Sequence, residues 1–331
     1  EIGRLQRHAT DTLMAKGIHP FPRAAQTGKT VAVVGAGPAG LSCAHRLALL
    51  GNDVTIYDVR PKAGGLNEYG IAAYKTTNDF AAREIEWLLS IGGITLENGK
   101  ALGNDLALED LIGKFDAVFL AVGLGGVNAL EVAGFGSERV SNAVDFIETL
   151  RQTPDLGTLE VGRHVVVIGG GMTAVDTAVQ SKLLGAEQVT IAYRRDRNAM
   201  SASRYEQDLA AQQGVKLLFN MQPIEFDTTG DTPMLELGYS TVNNGKVEAT
   251  GETIRIMADQ IFCAIGQRLT TDAGLALEGQ KIRVNEVGRT GLTGVWAGGD
   301  CALGGNDLTV TAVAEGRDAA IDIHNTLMGG A

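Results

Sequence analysis

The sequence has few cysteines, no long apolar run and a shortage of basic residues. Cys43, Cys263 and Cys301 are far apart and form no CxxC pair, which excludes a redox disulfide pair and a zinc cluster and is typical of a reducing compartment. We expect each to be a small buried apolar residue. Apolar runs such as residues 117–122 and 165–168 are far shorter than the roughly 18 residues of a membrane-spanning helix. No membrane segment is predicted.

The charge balance argues against a polyanionic partner. Lys and Arg number 28 against 39 Asp and Glu, giving a net charge of -11 at pH 7, which disfavours nucleic acid. The 331 residues are enough for two domains. The chain opens at Glu1 without a signal-peptide pattern, so we expect a cytoplasmic protein that lacks its true N-terminus.

Glycine is the residue in excess. The 44 glycines are about 13% of the chain, against a usual value of about 7%. With only 7 prolines and no Gly-X-Y period, collagen-like and low-complexity structures are excluded. We therefore expect the glycines to serve backbone geometry.

Residues 30–58 have the pattern of a dinucleotide-binding βαβ unit. An apolar strand leads to Gly35, Gly37 and Gly40, a helix follows, and a second strand ends at Asp58. The first glycine permits the turn, the second lets the backbone approach a pyrophosphate and the third allows close helix packing. The helix N-terminus attracts phosphate, and the acid binds ribose hydroxyls. A glycine-rich turn of purely structural role is the alternative.

A second copy of this unit begins at residue 164. It has Gly169 and Gly171, and Ala174 takes the third glycine position, a variant that the pattern accepts. At the end of its second strand stand Arg194 and Arg195 in place of an acid, with Arg197 and Arg204 close behind. Guanidinium groups pair with phosphate oxygens, so this end favours the 2′-phosphate of NADPH over NADH. A solvated strand end is the alternative.

A third pattern lies near the C-terminus. An apolar strand leads to Gly299 and Asp300, which is similar to the late motif of flavoproteins with two dinucleotide-binding folds, where the carboxylate binds the flavin ribityl chain. A predicted helix from Thr309 and Val310 would turn its N-terminal N–H groups toward the flavin. An N-cap or turn role for Asp300 is the alternative.

The chain resembles one flavoprotein family over essentially its whole length. This is the family of the small subunit of bacterial glutamate synthase and of the flavin-bearing part of dihydropyrimidine dehydrogenase. The stretches that carry the resemblance are residues 2–11, 64–75, 83–88, 193–196 and 297–301. Residues 2–11 look like the linker that follows a domain with two [4Fe-4S] clusters, whose cysteines are absent from this sequence.

The resemblance implies an electron-transfer function. NADPH would pass hydride to FAD, and electrons would leave singly through Fe–S clusters to a catalytic partner subunit. Ala72 stands where glutamate synthase small subunits usually have proline, so residues 66–75 are closer to the dihydropyrimidine dehydrogenase subunit. The alternatives are the glutamate synthase small subunit and an electron-transfer module with no organic substrate of its own. No acid-base catalytic set is visible, and the five scattered histidines are expected to be structural or solvent-facing.

Together these patterns predict an α/β protein with two Rossmann-like domains, the second inserted into the first. We predict a linker over residues 1–27, an FAD-binding domain over 28–145 and 260–331, and an NAD(P)H-binding domain over 146–259, with turns at 243–245 and 250–251. The predicted cofactor-binding residues of the first domain are Gly35, Gly37, Pro38, Ala39, Gly40, Asp58, Gly65, Leu66, Gly123, Gly299, Asp300, Thr309 and Val310. Those of the second are Gly169, Gly171, Met172, Thr173, Ala174, Arg194, Arg195 and Arg204, and Gly266 follows the strand that leads back into the first.

Overall fold

The computed structural model describes residues 1–270 and 274–329. Two residues at the end of the predicted FAD-binding domain, 330 and 331, lie outside this part. The chain forms two compact units. The first comprises Glu1–Glu68, Thr76–Gly126 and Arg268–Ala331, and the second comprises Tyr69–Lys75 and Val127–Gln267.

Among the described residues, strands and helices intermix up to the helix at Arg204–Gln212, and strands alone follow from there until the last helix. The helices are α1 Ile2–Ala15, α2 Pro38–Leu49, α3 Leu66–Tyr69, α4 Phe80–Leu89, α5 Leu108–Lys114, α6 Ala143–Gln152, α7 Met172–Leu183, α8 Arg204–Gln212 and α9 Thr309–Leu327. The strands are β1 Thr30–Val34, β2 Asp53–Asp58, β3 Ile94–Asn98, β4 Ala117–Leu120, β5 Gly126–Val127, β6 Val140–Asn142, β7 His164–Gly169, β8 Gln188–Tyr193, β9 Lys216–Phe219, β10 Met221–Asp227, β11 Met234–Asn243, β12 Lys246–Met257, β13 Gln260–Ala264, β14 Gln267–Arg268, β15 Leu277–Glu278, β16 Lys281–Ile282 and β17 Val295–Ala297.

The first unit is built on a five-stranded parallel sheet in the order β17-β4-β1-β2-β3. Its central strand β1 is buried from Val31 to Val34, because apolar clusters cover both faces of the sheet. Strands buried on both faces read as continuous apolar runs rather than alternating ones. The helix α2 packs on one face with Leu47 fully buried.

The second unit repeats this plan. Its parallel sheet has the order β6-β13-β7-β8-β9, and a three-stranded antiparallel sheet, β10-β11-β12, accompanies it. Central strand β7 is buried over Val165 to Ile168, with α7 on it through Val175 and Val179. The expected α/β class with two Rossmann-like units is confirmed.

The unit boundaries differ from the predicted ones. Residues 127–145 and 260–267 lie in the second unit, and so does Tyr69–Lys75. The physical reason is strand pairing: β13 forms parallel ladders with both β6 and β7. A sheet edge without these strands would leave backbone N–H and C=O groups unpaired.

The predicted linker over residues 1–27 begins with a regular helix. Helix α1 buries none of its residues. Beyond it, Arg23 ties the segment to the first sheet, with its Nη2 2.6 Å from Asp53 Oδ1 and 3.0 Å from Asn52 O. In the parts of the chain that the structure describes, no helix has both the length and the apolar character needed to cross a membrane.

Of the two predicted turns in the second unit, one is a turn and the other is not. Asn243 ends β11 and Lys246 begins β12, so the turn at 243–245 is confirmed. The turn at 250–251 is wrong, because these residues continue β12. They lie where the register with β11 shifts, and Gly251 takes a φ of +91° there, so the signal came from a β-bulge.

Candidate functional site

The first glycine turn has no room for side chains at two of its three glycines. Gly35 has a φ of +108°, and an added Cβ would lie 2.2 Å from the carbonyl oxygen of Ala121. An added Cβ at Gly40 would lie 1.8 Å from the carbonyl oxygen of Gly35. These two glycines therefore allow the tight turn and the close approach of α2 that their spacing predicts.

Gly37 faces open space instead. An added Cβ at Gly37 would meet only Gly65 Cα, at 3.8 Å. Gly65 has less room, because a Cβ added to it would lie 2.7 Å from Gly37 Cα. Pro38 opens α2, and Gly37 as N-cap provides no side chain to cap it. Bare backbone and a helix N-terminus thus form a surface suited to a phosphate group, and Leu66 begins α3 next to it.

Asp58 is fixed by the backbone around it. It ends β2 and is 8% exposed. Its Oδ2 accepts a 2.6 Å hydrogen bond from Ala36 N–H, and its Oδ1 accepts one of 2.7 Å from Arg60 N–H. Burial raises the pKa of Asp58, and these backbone hydrogen bonds offset part of the rise. Each oxygen keeps a further acceptor site, so the carboxylate is oriented and still able to bind hydroxyls.

Asp300 is a half-buried carboxylate that lacks a donor. It follows β17 and Gly299, which packs so tightly on α2 that an added Cβ would lie 2.9 Å from Ala39 Cβ. No residue in the described ranges donates a hydrogen bond to its side chain, so it is not a helix cap. Burial, and next the charge of Asp307, raise the pKa of Asp300. A ligand hydroxyl would supply the missing donor.

Glu315 is a site-forming residue that the sequence patterns did not reveal. Its Oε2 accepts from Gly299 N–H at 2.8 Å, and its Oε1 accepts from Gly305 N–H at 3.1 Å. The next residue, Gly316, has no room for a Cβ, which would lie 2.1 Å from Ala39 O. Helix α9 thereby holds the loop before it against the start of α2. A Glu-Gly pair directly after the largely apolar start of α9, residues 309–314, was the available signal.

Two of the remaining predicted residues of this unit lie in the first turn of α9, and the third follows β4. Thr309 begins the helix, and its Oγ1 donates to Asn67 Oδ1 at 3.3 Å. Val310 is 73% exposed. Gly123 follows β4 with a φ of +63°. The residues predicted from three separate stretches of sequence therefore come together in one unit, at the carboxyl ends of its parallel strands, where ligands of such sheets bind.

The second glycine turn has the same backbone arrangement as the first, and it packs against Ala264. Gly169 has a φ of +150°, and an added Cβ would lie 2.2 Å from Ala264 O. Gly171 is the N-cap of α7 and contributes no side-chain cap, and its added Cβ would meet only Ser201 Oγ, at 3.4 Å. Met172, Thr173 and Ala174 form the first turn of α7, with Ala174 fully buried. Gly266 follows β13 with a φ of +98°.

The arginines after β8 fall into two classes. Within the described residues, the side chains of Arg194, Arg195 and Arg204 make no hydrogen bond or ion pair. Arg197 is already engaged: its Nε donates to Gln207 Oε1 at 3.0 Å and its Nη2 to Asp208 Oδ1 at 2.6 Å. Three guanidinium groups are therefore available for an anion, while the fourth holds α8.

The cysteines are unpaired, and two of the histidines lie together. All three cysteines are free thiols. Cys43 and Cys301 are buried as expected, but Cys263 is partly exposed, and burial raises its pKa to about 11. Among the described residues no group of three or more His, Cys, Asp or Glu could hold a metal ion. The structure brings His19 and His45 together, with their Nε2 atoms 3.2 Å apart, a pairing that the sequence did not suggest.

Comparison with known proteins connects this geometry to a family. The family model described as "Pyridine nucleotide-disulphide oxidoreductase" matches residues 29–316. The chain is 34% identical to the glutamate synthase [NADPH] small chain of Escherichia coli, covering 98% of this chain and 75% of that one. It is 33% identical to the NAD-dependent dihydropyrimidine dehydrogenase subunit PreT of Escherichia coli, covering 99% and 76%.

Solved structures share the fold at lower identity. FprA from Mycobacterium tuberculosis, in complex with NADPH, superposes with a TM-score of 0.74 at 20% identity over 91% of this chain and 85% of that chain. T. acidophilum thioredoxin reductase gives a TM-score of 0.69 at 21% identity over 91% and 99%. From its glycine turns to its late Gly-Asp motif, the chain belongs to the FAD- and NAD(P)-binding pyridine nucleotide-disulphide oxidoreductase family.

Proposed function

We propose that this chain is the flavin-bearing subunit of an oxidoreductase that passes electrons from NADPH through FAD to Fe–S clusters and a catalytic partner subunit. The proposal rests on the contrast between two glycine turns that share the same backbone arrangement but differ in the side chains around them. Carboxylates accompany the first turn, and unpaired arginines accompany the second. When bound, FAD supplies the chemistry, because it accepts hydride from a nicotinamide and releases electrons one at a time.

The residues of the first unit fit FAD. The backbone at Gly37 and Gly65 leaves space for a pyrophosphate, and Asp58 is oriented to accept from ribose hydroxyls. Asp300 would accept from a ribityl hydroxyl. The N-terminal N–H groups of α9 at Thr309 and Val310 would stabilise negative charge on the bound ring system.

The residues of the second unit fit NADPH. Gly171, Met172, Thr173 and Ala174 would receive the pyrophosphate at the N-terminus of α7. Arg194, Arg195 and Arg204 would bind the 2′-phosphate, because guanidinium groups pair with phosphate oxygens in a bidentate manner. Reduction of a disulfide substrate by this chain is not supported, because its three cysteines are far apart and unpaired.

The proposed partner reduces a pyrimidine. Residues 66–75, with Ala72 in place of the usual proline, favour the dihydropyrimidine dehydrogenase type. The glutamate synthase type is the second candidate, since identity to that small chain is 34%, against 33% to subunit PreT. An electron-transfer module with no organic substrate of its own would share the same two nucleotide sites.

An anaerobic titration tests the cofactor assignment. The purified chain is titrated with NADPH, and separately with NADH, while the visible flavin absorbance is followed. We expect NADPH to bleach the flavin band at much lower concentration than NADH. A protein without flavin, or a flavin that neither nucleotide reduces, would contradict the proposal.

A steady-state assay separates the candidates for the electron acceptor. We expect the isolated chain to reduce ferricyanide with NADPH, and neither uracil nor glutamine with 2-oxoglutarate to change NADPH consumption. A pyrimidine-reducing partner subunit that brings the Fe–S clusters should make NADPH consumption depend on uracil. Dependence on glutamine and 2-oxoglutarate with a glutamate synthase large subunit would instead favour the second candidate, and organic turnover by the chain alone would contradict the role as a subunit.

A further inference from the structure

The segment Tyr69–Lys75 is held inside the second unit, although the residues on both sides of it along the chain belong to the first. Two of its backbone N–H groups donate to side chains of α7: Ala72 to Asp176 Oδ2 at 3.3 Å and Ala73 to Gln180 Oε1 at 2.8 Å. The segment is therefore pinned to the helix whose N-terminus forms the second glycine turn.

Lys75 makes the strongest of these contacts. Its Nζ lies 2.6 Å from Asp176 Oδ1 and 2.8 Å from Glu206 Oε1. Tyr74 also donates its hydroxyl to Asp176 Oδ1, at 3.1 Å. The two acidic residues are only 4% and 8% exposed. Two buried carboxylates this close to each other need a cation, because an uncompensated buried charge costs several kcal/mol.

The charge of Lys75 follows from its two carboxylate partners. Burial disfavours the charged form of Lys75, but its hydrogen bonds to Asp176 and Glu206 outweigh burial and raise its pKa. Lys75 is therefore a cation at neutral pH. With two carboxylates and one ammonium, the cluster of Lys75, Asp176 and Glu206 has a net charge of about -1.

The cluster is close to the place proposed for a diphosphate. Asp176 is four residues after Met172 on α7, which is about 6 Å along the helix axis. A dinucleotide diphosphate at the helix N-terminus would meet a net charge of about -2 without Lys75 and about -1 with it. Over such a distance inside a protein, a change of one unit charge measurably changes the electrostatic energy of a bound diphosphate.

We propose that Lys75 is a positioning residue for the anionic diphosphate of NADPH: by neutralising one of the buried carboxylates Asp176 and Glu206, it makes the second glycine turn able to accept a dinucleotide. This inference rests on the proposed function of the second unit. Lys75 acts through the charge that it cancels, and the segment Tyr69–Lys75 holds it in place on α7.

The sign of the charge change gives a sharp test. Binding of NADP⁺ to the FAD-loaded protein is measured by calorimetry. The oxidised nucleotide has no hydride to donate, so no turnover occurs, and low salt limits the screening of charges. We expect K75M to weaken binding by about tenfold and E206Q to strengthen it by about threefold. The double variant K75M/E206Q has the original net charge and should return close to the wild-type affinity. K75R keeps the charge and should also remain close to it.

Matched controls separate charge from folding. Glutamine at position 206 can still serve the capping box that Glu206 forms with Ser203, so E206Q tests the sign even if K75M does not fold. K182M removes a lysine near the far end of α7, where Lys182 Nζ donates only to carbonyls. We expect its effect on affinity to be below about twofold, and the effect of K75M to shrink as salt is added.

The outcomes are distinct. Weaker binding in both K75M and E206Q, or no recovery in the double variant, would overturn the charge role of Lys75 and leave the proposed function intact. Unchanged affinity in K75M would do the same. A wild-type protein that retains FAD but binds no NADP⁺ would overturn the proposed nucleotide site itself.

Discussion

The strand that follows each glycine turn ends differently in the two units. In the first, Asp58 is buried and held by N–H groups of Ala36 and Arg60. In the second, the side chains of Arg194 and Arg195 extend without a partner among the described residues. The same backbone arrangement thus leaves free helix N–H groups suited to a diphosphate in both units, and we propose that the side chains at the strand end select the rest of the nucleotide.

The third position of the glycine pattern differs between the two turns. Gly40 allows no Cβ because Gly35 O would lie 1.8 Å away. The equivalent Ala174 carries its methyl group fully buried against the second core. The requirement for glycine therefore depends on how closely each helix approaches its own turn.

The largest expected effect comes from making the first turn like the second. Gly40→Ala should destabilise the protein by about 3 kcal/mol or more, because its methyl group overlaps a backbone oxygen that cannot move freely. Urea denaturation and the flavin content of the purified protein measure this. The matched change Ala174→Gly should cost only about 1 kcal/mol. A Gly40→Ala protein with full flavin and an unchanged unfolding midpoint would show that the turns are equivalent.

The second prediction concerns selectivity at the second strand end. Replacing Arg194 and Arg195 together with Ala should weaken NADPH binding by about 100-fold, because each hydrogen bond between charged partners contributes about 1.5–3 kcal/mol. NADH should change by less than about threefold, since it lacks the 2′-phosphate. Flavin reduction titrated with both nucleotides measures the ratio.

Arg197→Ala is the control for this experiment, because Gln207 and Asp208 already engage that guanidinium group. It should leave the preference between NADPH and NADH within about threefold of wild type. Equal losses for both nucleotides in the double variant would mean that Arg194 and Arg195 do not bind the 2′-phosphate.

The third prediction concerns the late motif of the first unit. Asp300→Ala should weaken FAD binding by about tenfold, the scale of one hydrogen bond to a charged acceptor. Rebinding of FAD to the stripped protein measures the dissociation constant. Asp318→Asn is the control, because Asp318 is exposed, pairs with the neighbouring Arg317 and should change FAD affinity little. An unchanged dissociation constant for FAD in Asp300→Ala would remove Asp300 from the site.

The smallest effect is a pH dependence of the free energy of unfolding, caused by a histidine of the first unit. Burial, then the charges of His19 and Arg46, lower the pKa of His45 to about 4. A lowered folded pKa means that the unfolded chain binds the proton more readily. The free energy of unfolding should therefore fall as pH drops from about 6.5 toward 4, by about 1 kcal/mol after solvent screening.

Urea denaturation at several pH values measures this loss. His45→Gln should remove that part of the slope, whereas His8→Gln, on the exposed helix α1, should keep it. A slope that is unchanged in His45→Gln would show that the buried His45 does not control acid stability.

The prediction of the two Rossmann-like units succeeded because the signal is local. Strand, glycine turn and helix lie within about 20 residues in each copy, so that spacing alone identifies Gly35 to Gly40 and Gly169 to Ala174. The predicted boundaries failed because strand pairing is not local. Nothing near residue 260 indicates that β13 pairs with β6 and β7 rather than with the first sheet.

The sequence by itself determined the α/β class, the family and the chemical character of each strand end, acidic in one unit and basic in the other. These follow from short patterns whose physical demands are local, such as positive φ and a bare backbone. Only the tertiary structure decided that Glu315 holds the Asp300 loop, that Arg197 is engaged, and that Lys75 lies between Asp176 and Glu206. Those contacts join residues up to 131 positions apart in the sequence. Only the folding of the chain brings such distant charges next to one another.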